Sequence, residues 1–293
     1  MKGLKIGSLK SLFCFIITLV LCAPLLVACG AGVNTSSASE DKSDNGSESK
    51  AETESESNSQ TETETPKGIL PEKSEYKLLF IGNSATYVHD IPATLASLCQ
   101  KKGITITQYQ IVPGGCTLEQ HAANPQVFAE IEKGYDAVFI QENGNSIVSE
   151  TERIKSLDAC KKIGEAVNKT GAKFCYYVRP PYGIDLGGYK NFDQCKLFDD
   201  HFTPAAKAYN ASCVYVNRAF AYAIKNLNYN LWGEDNAHTS THGAYLAVCT
   251  FYATLFGESA TTLGSAYGLP LAEAEELQKA ADKIAFENVI PWS

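Results

Sequence analysis

The 293-residue chain carries 25 Lys and Arg against 33 Asp and Glu, a formal net charge of −8, with 44% hydrophobic residues. That balance offers no basic face, so a nucleic-acid partner is excluded as an expectation, while the apolar share is enough for a sizeable core. Ten cysteines raise the question of disulfides, which their placement decides.

Residues 1–29 begin with Lys2, Lys5 and Lys10, continue through an apolar run from Phe13 to Leu21 and end in Leu26-Val27-Ala28-Cys29. Basic, then apolar, then small residues is the order of a secretion signal. The last four residues resemble the bacterial lipobox, which implies that Cys29 is lipidated after cleavage and anchors the protein to the membrane rather than spanning it. A spanning helix fits less well, because the apolar core is short for a ~20-residue span and Pro24 interrupts it. Residues 30–75 hold eleven Asp and Glu, four Lys and little to bury, a net charge of −7. Such a segment cannot offset the entropy of ordering, and it is expected to be a disordered acidic Ser/Glu/Thr-rich tether. What remains, residues 76–293, has a net charge of only −4 and is the expected folded domain.

Three cysteines (14, 22 and 29) fall in the signal, leaving 99, 116, 160, 175, 195, 213 and 249. An odd number leaves at least one thiol free. Most sit within apolar patterns such as Phe174-Cys175-Tyr176-Tyr177-Val178 and read as small buried hydrophobes without a structural disulfide. No C-x-x-C pair supports a zinc ribbon.

Apolar runs rich in β-branched and aromatic residues predict strands at 77–82, 104–112, 136–141, 173–178 and 213–217. Ala137-Val138-Phe139-Ile140 is continuously apolar, as suits a strand covered on both faces. Helical spacing appears at Leu95, Leu98 and Cys99, then at Ile154, Leu157, Cys160, Ile163 and Val167, and again over 244–256 and 272–286. Alternating strands and helices predict an α/β chain, a three-layer α/β/α sandwich around a central, mostly parallel five-stranded sheet. In such sheets ligands bind beyond the carboxyl ends of the strands. Gly82-Asn83-Ser84, Pro113-Gly114-Gly115-Cys116-Thr117 and Gln141-Glu142-Asn143-Gly144-Asn145 each begin where a predicted strand stops, so three polar loops converge on one rim.

Serine is a weak nucleophile until a base takes its proton, so Ser84 requires an imidazole. His238 is the candidate, with Asp235 three residues earlier to orient it. Alone, Asp235-x-x-His238 reads first as a helix-start turn in which Asp235 and Ser240 serve as caps and His238 is a surface loop residue. Together, the blocks resemble the SGNH, or GDSL-like, hydrolase superfamily over about residues 76–260. Gly82-Asn83-Ser84 corresponds to the first block, Gly114-Gly115-Cys116-Thr117 to the second, and Asp235, His238, Gly243, Tyr245 and Leu246 to the last. The resemblance implies a flavodoxin-like fold, a Ser84–His238–Asp235 triad and an oxyanion hole. The hole would use the amides of Ser84 and Gly115 and a carboxamide from the third block. There the chain departs from the family's Gly-x-Asn-Asp, reading Asn143-Gly144-Asn145-Ser146. The third donor is therefore Asn145 or Gln141, with Asn145 favoured.

Other chemistries compete for the same residues. His238 and His242, with Asp235, would suit a metal, although a further strong ligand is not obvious and no metal or other cofactor is expected. Cys116 lacks a partner that would hold a thiolate. His121 either lines the pocket or, as favoured, is a hydrogen-bonded structural residue; Gly257-Glu258-Ser259 reads as a helix end; and Arg179-Pro180-Pro181-Tyr182, after the fourth strand, either touches substrate or, as favoured, forms a rigid loop. No G-x-S-x-G elbow surrounds Ser84, unlike in α/β-hydrolases. The expectation is thus an extracytoplasmic, lipid-anchored serine esterase of the SGNH type. Its expected partner is an ester substrate, with O-acetyl groups on carbohydrate as the candidate. The alternative is a non-catalytic glycan-binding surface lipoprotein on a hydrolase fold.

Overall fold

The computed structural model describes residues 67–293. The signal segment, the lipidation site at Cys29 and residues 30–66 of the tether lie outside the described residues. Among the described residues no helix is long and apolar enough to cross a membrane.

Five strands, β1 (Glu75–Ile81), β2 (Thr105–Ile111), β3 (Ala137–Ile140), β4 (Lys173–Tyr177) and β5 (Ser212–Val214), form one sheet in the order β2-β1-β3-β4-β5, every pair parallel. The helices between and after them are α1 (Ser84–Tyr87), α2 (Ile91–Gln100), α3 (Leu118–Ala123), α4 (Pro125–Ile131), α5 (Glu150–Thr170), α6 (Asn191–Ala208), α7 (Val216–Asn226), α8 (Thr241–Phe256) and α9 (Leu271–Glu287). The three-layer α/β/α sandwich expected from the sequence is the architecture found.

The period-2 rule of strands divides the core into two layers. Leu78, Phe80, Ala137, Phe139, Cys175 and Tyr177 face one side, where α2, α7, α8 and α9 pack. Leu79, Ile81, Val138, Ile140, Phe174 and Tyr176 face the other, under α3, α4 and α5. Helix α8 is buried along nearly its whole length. Its Phe251 ring meets Phe80 at 5.9 Å, Phe139 at 5.5 Å and Tyr177 at 4.9 Å, each edge-on. This ring fixes α8 on three adjacent strands, and α8 begins just after His238, so the packing sets where the His238 loop enters the site.

The ends of the elements follow local chemistry. Thr117 and Gln120 close a capping box on α3, and Ser149 caps α5, which stops at Gly171 with φ +80°. Ser240 caps α8 by accepting from the Gly243 amide, and Gly257 ends it with φ +66°. Gly243 is required by contact rather than by φ, since a Cβ there would sit 2.3 Å from the Leu231 carbonyl oxygen.

Two sequence expectations shift. Residues 67–75, assigned to the tether, join the fold: Ile69 and Leu70 donate to the carbonyls of Thr254 and Leu255 at 3.1 and 3.0 Å, and β1 already starts at Glu75. The predicted strand 213–217 ends at Val214, because Val216 opens α7. The seven cysteines of the domain are free thiols, most of them buried.

Truncating Phe251 leaves a cavity against three strands, and Phe→Ala changes at such sites cost about 3–5 kcal/mol. Phe251→Ala is therefore expected to lower the urea midpoint markedly without changing the denaturant slope. An unchanged midpoint would mean that α8 is not the keystone of this layer.

Candidate active site

Strand order 2-1-3-4-5 reverses its direction of winding between β1 and β3, which opens a crevice at their carboxyl ends. The loops that leave these two strands carry Ser84 and Asn145. They open on a cavity of about 340 Å³ lined by Ser84, Gly115, Asn143, Asn145, Arg179 and His238 together with several neighbours. The fold thus brings together Ser84, Gly115, Asn145 and His238, with Asp235 held behind His238.

Ser84 is the first residue of α1. Asn83 precedes it as N-cap, accepting from the Ala85 amide at 3.1 Å and donating its own side-chain amide to the Cys116 carbonyl at 2.9 Å. At a helix start the first N–H groups have no intrahelical acceptor, and the Ser84 amide has no protein partner among the described residues. The Gly115 amide is likewise free of protein acceptors, at a residue with φ +70° where glycine is favoured. Two unpaired amides on the lining of one cavity can take a developing oxyanion.

Gln141 does not reach the cavity. It is 1% exposed, and its Oε1 accepts from the Asn83 amide at 3.0 Å and from the Thr86 hydroxyl at 3.0 Å. Its Nε2 donates to the Glu142 carbonyl. With both ends engaged, Gln141 acts as a brace rather than as a donor to a substrate. Gly82 makes room for it, since a Cβ there would meet Gln141 Oε1 at 2.7 Å. Asn145, by contrast, is on the lining and exposed, and its Nδ2 uses one proton on Asn143 Oδ1 at 3.3 Å.

Several residues with supporting roles escaped the sequence reading. Asn143 donates to the Gly115 carbonyl at 2.8 Å and accepts from the Asn145 amide at 3.0 Å, tying the second loop to the third. Glu142, 1% exposed, accepts from the amides of Leu118 at 3.0 Å and Asn143 at 2.7 Å. Burial raises its pKa, and these amides oppose the rise. His89 bonds the Thr239 carbonyl at 2.8 Å and thereby joins the Ser84 segment to the His238 loop. It does so from a left-handed conformation, φ +62°, uncommon for a residue other than glycine. Nothing in the sequence marks these partners, which lie in loops remote from each other.

His238 stands on a tight turn. Asp235 Oδ1 accepts from the amides of Ala237 and His238 at 2.9 and 3.0 Å, while Oδ2 accepts from His238 Nδ1 at 2.6 Å. A carboxylate can only accept, so the proton of neutral His238 resides on Nδ1 and Nε2 is left as an acceptor. Asp235 thus orients His238 instead of capping a helix. The turn is held by the Gly233 amide on the His238 carbonyl at 2.9 Å and by Asn236 at φ +52°. Ser84 and His238 line the same cavity without a direct hydrogen bond between them.

The competing chemistries find other uses for their residues. His242 bonds Glu273 at 2.7 Å and stacks on Tyr229, so it does not join His238 as a ligand pair. His121 bonds the Gly82 carbonyl at 2.7 Å while buried, and that burial lowers its pKa. Cys116 has its thiol pKa raised, by burial first and then by Glu142, which disfavours a thiolate. Arg179, expected to belong to a rigid loop, lines the cavity.

The bond to His238, with help from the two backbone amides, pulls the Asp235 carboxyl from its ordinary value near 3.8 down to about 2. A depressed carboxyl contributes stability above its unfolded pKa and loses that contribution as pH falls through the folded value. The window here runs from about pH 4 down to about pH 2. Carbon-13 NMR of the carboxyl should therefore find Asp235 ionised until about pH 2, moving upward in His238→Ala. An Asp235 titration at the ordinary value in wild type would contradict the pairing.

Comparison with solved structures agrees with this architecture. A DUF4886 family protein from Bacteroides uniformis matches with a TM-score of 0.65 at 18% identity, over 74% of this chain and 97% of its own. A protein from Slackia heliotrinireducens, provisionally assigned as an SGNH hydrolase, matches at 0.51 and 23% identity, over 61% and 98%. A catalytic mutant of Axe2, an acetylxylan esterase from Geobacillus stearothermophilus, matches at 0.51 and 16% identity, over 61% and 94%. No protein-family model and no curated protein matches the chain. At these identities the likeness is one of fold: the chain has the α/β/α sandwich found in SGNH-type and esterase structures.

Proposed function

We propose that the chain is an extracytoplasmic serine esterase of the SGNH type, anchored by a lipid on Cys29 and acting on O-acetylated carbohydrate. One observation supports this reading above the others. Ser84, two unpaired amides and an imidazole already oriented by a carboxylate border one cavity. The carbohydrate substrate rests on likeness to an acetylxylan esterase and on the export signal in the sequence.

The chemistry follows from the roles. Ser84 Oγ attacks the ester carbonyl carbon while His238 Nε2 takes its proton, and Asp235 stabilises the imidazolium that results. The carbonyl oxygen becomes an oxyanion that accepts from the Ser84 and Gly115 amides and from the free Nδ2 proton of Asn145. These donors act on charge present only after attack, and losing one typically costs about 10²–10³ in rate. Collapse expels the alcohol, which receives the proton from His238. Water, deprotonated by the same imidazole, then releases the acid and restores Ser84. No step requires a metal or an organic cofactor.

A non-catalytic glycan-binding protein would use the same cavity without turnover, and the test separates the two. Mass spectrometry of acetylated oligosaccharides should record loss of acetyl mass with wild type and none with Ser84→Ala. Unchanged acetylation with a folded wild-type protein, across xylan and uronate-containing glycans, would favour the binding protein.

A further inference from the structure

We propose that Arg179 is a substrate-binding residue and that the natural ester carries a carboxylate; this rests on the esterase reading of the same cavity. Arg179 follows β4 and is only 3% exposed, yet no carboxylate pairs with it among the described residues. Its single protein hydrogen bond runs from Nε to the Pro180 carbonyl at 2.9 Å, leaving both terminal nitrogens without a protein acceptor. Taking a charge out of water without a partner is costly. An unpaired buried arginine on the wall of a cavity is therefore a group awaiting an anion.

The guanidinium is held in place for that task. It lies over the Tyr182 ring at 4.0 Å, with Phe198 at 5.7 Å on the same charge. Gly144 packs closely against both groups, because a Cβ there would come within 3.0 Å of Nη1 and 2.6 Å of the Tyr182 ring. Stacking offsets part of the desolvation, but it engages the faces of the guanidinium and leaves the in-plane N–H groups of Nη1 and Nη2 unused. That edge is a fork matched to the two oxygens of a carboxylate.

The lining of the cavity agrees in sign. Arg179 is its one permanently charged side chain; the remainder are neutral polar groups such as Asn143 and Asn145, apolar side chains such as Ile184 and Leu186, and His238. No Asp or Glu lines it. At about 340 Å³ it has room for one small acylated unit. Both the nucleophile and the cation lie on that small wall, so the carboxylate and the scissile ester belong to the same unit or to adjoining ones. An O-acetylated uronate has this chemistry, as does a half-ester of a dicarboxylic acid.

Matched substrates distinguish these sources. We expect wild type to favour 4-acetoxybenzoate (charge on the alcohol side) or monophenyl succinate (charge on the acyl side) over phenyl acetate by about tenfold or more in kcat/KM, as befits a charge-assisted pair. In Arg179→Gln the charged-to-neutral ratio should fall to about one, the loss residing mainly in KM. A measurement that needs neither turnover nor an arginine variant is calorimetric titration of Ser84→Ala protein with glucuronate and with glucose. Binding of glucuronate alone supports the proposal even if no ester is cleaved, in which case only the esterase reading fails. Equal rates on charged and neutral esters, with no carboxylate binding, would overturn it and make Arg179 a structural stack. Binding of inorganic phosphate but of no carboxylate would overturn the carboxylate assignment.

Discussion

A single buried carboxamide oxygen holds the candidate site in register. Gln141 Oε1 accepts from both the Asn83 amide and the Thr86 hydroxyl, so the end of β3 grips the turn that presents Ser84 on either side of the nucleophile. Buried donors left without this acceptor would each cost about 1–3 kcal/mol. The arrangement needs Gly82, whose missing Cβ lets Gln141 approach, and it lies where strand order reverses and a crevice opens. From this point the remaining links fan outward. Asn83 reaches the second loop at Cys116, Asn143 joins that loop to the third, and His89 reaches the His238 loop at Thr239.

The arrangement divides labour between buried and open groups. Gln141, Glu142 and His121 are each about 1% exposed, and each holds a backbone group of the strand-end loops. Their rigidity is what leaves the Ser84 and Gly115 amides unpaired on the cavity wall. Asp235 and His238 are more open, with side chains 53% and 31% exposed, and rely on a short turn and the Trp232–Pro181 hydrogen bond for position. That bond, 2.9 Å from the indole to a carbonyl, couples the His238 loop to the segment that carries Arg179.

The sheet and the reactive loops were legible because they are locally encoded. Strand-like runs rich in β-branched and aromatic residues ended at Gly82, at Pro113-Gly114-Gly115 and at Gln141, and each end proved to be a strand end beside the cavity. Helices α6 and α7 were not named, for a physical reason. Helix α7 carries Asn217 and Arg218 in its first turn, and they look solvent-facing in sequence but are buried against partners in α6: the Cys195 carbonyl and both oxygens of Asp199. Helix α6 contains Pro204, a local signal against a helix. The choice between Asn145 and Gln141 was also invisible locally. A carboxamide at a strand end can turn into a cavity or into the core, and only the position of Asn83 and Thr86 decides which. The roles of Glu142, Asn143 and His89 depend in the same way on loops that meet only in the fold.

In the proposed mechanism Ser84 is a nucleophile activated by His238. Intact-protein mass spectrometry after exposure to a fluorophosphonate tests this role without knowledge of the natural ester. One phosphonyl adduct, mapped by peptide analysis to Ser84, is expected in wild type, and a slow or absent adduct in folded His238→Ala. A wild-type protein that remains unmodified, or an adduct at any other residue, would contradict it.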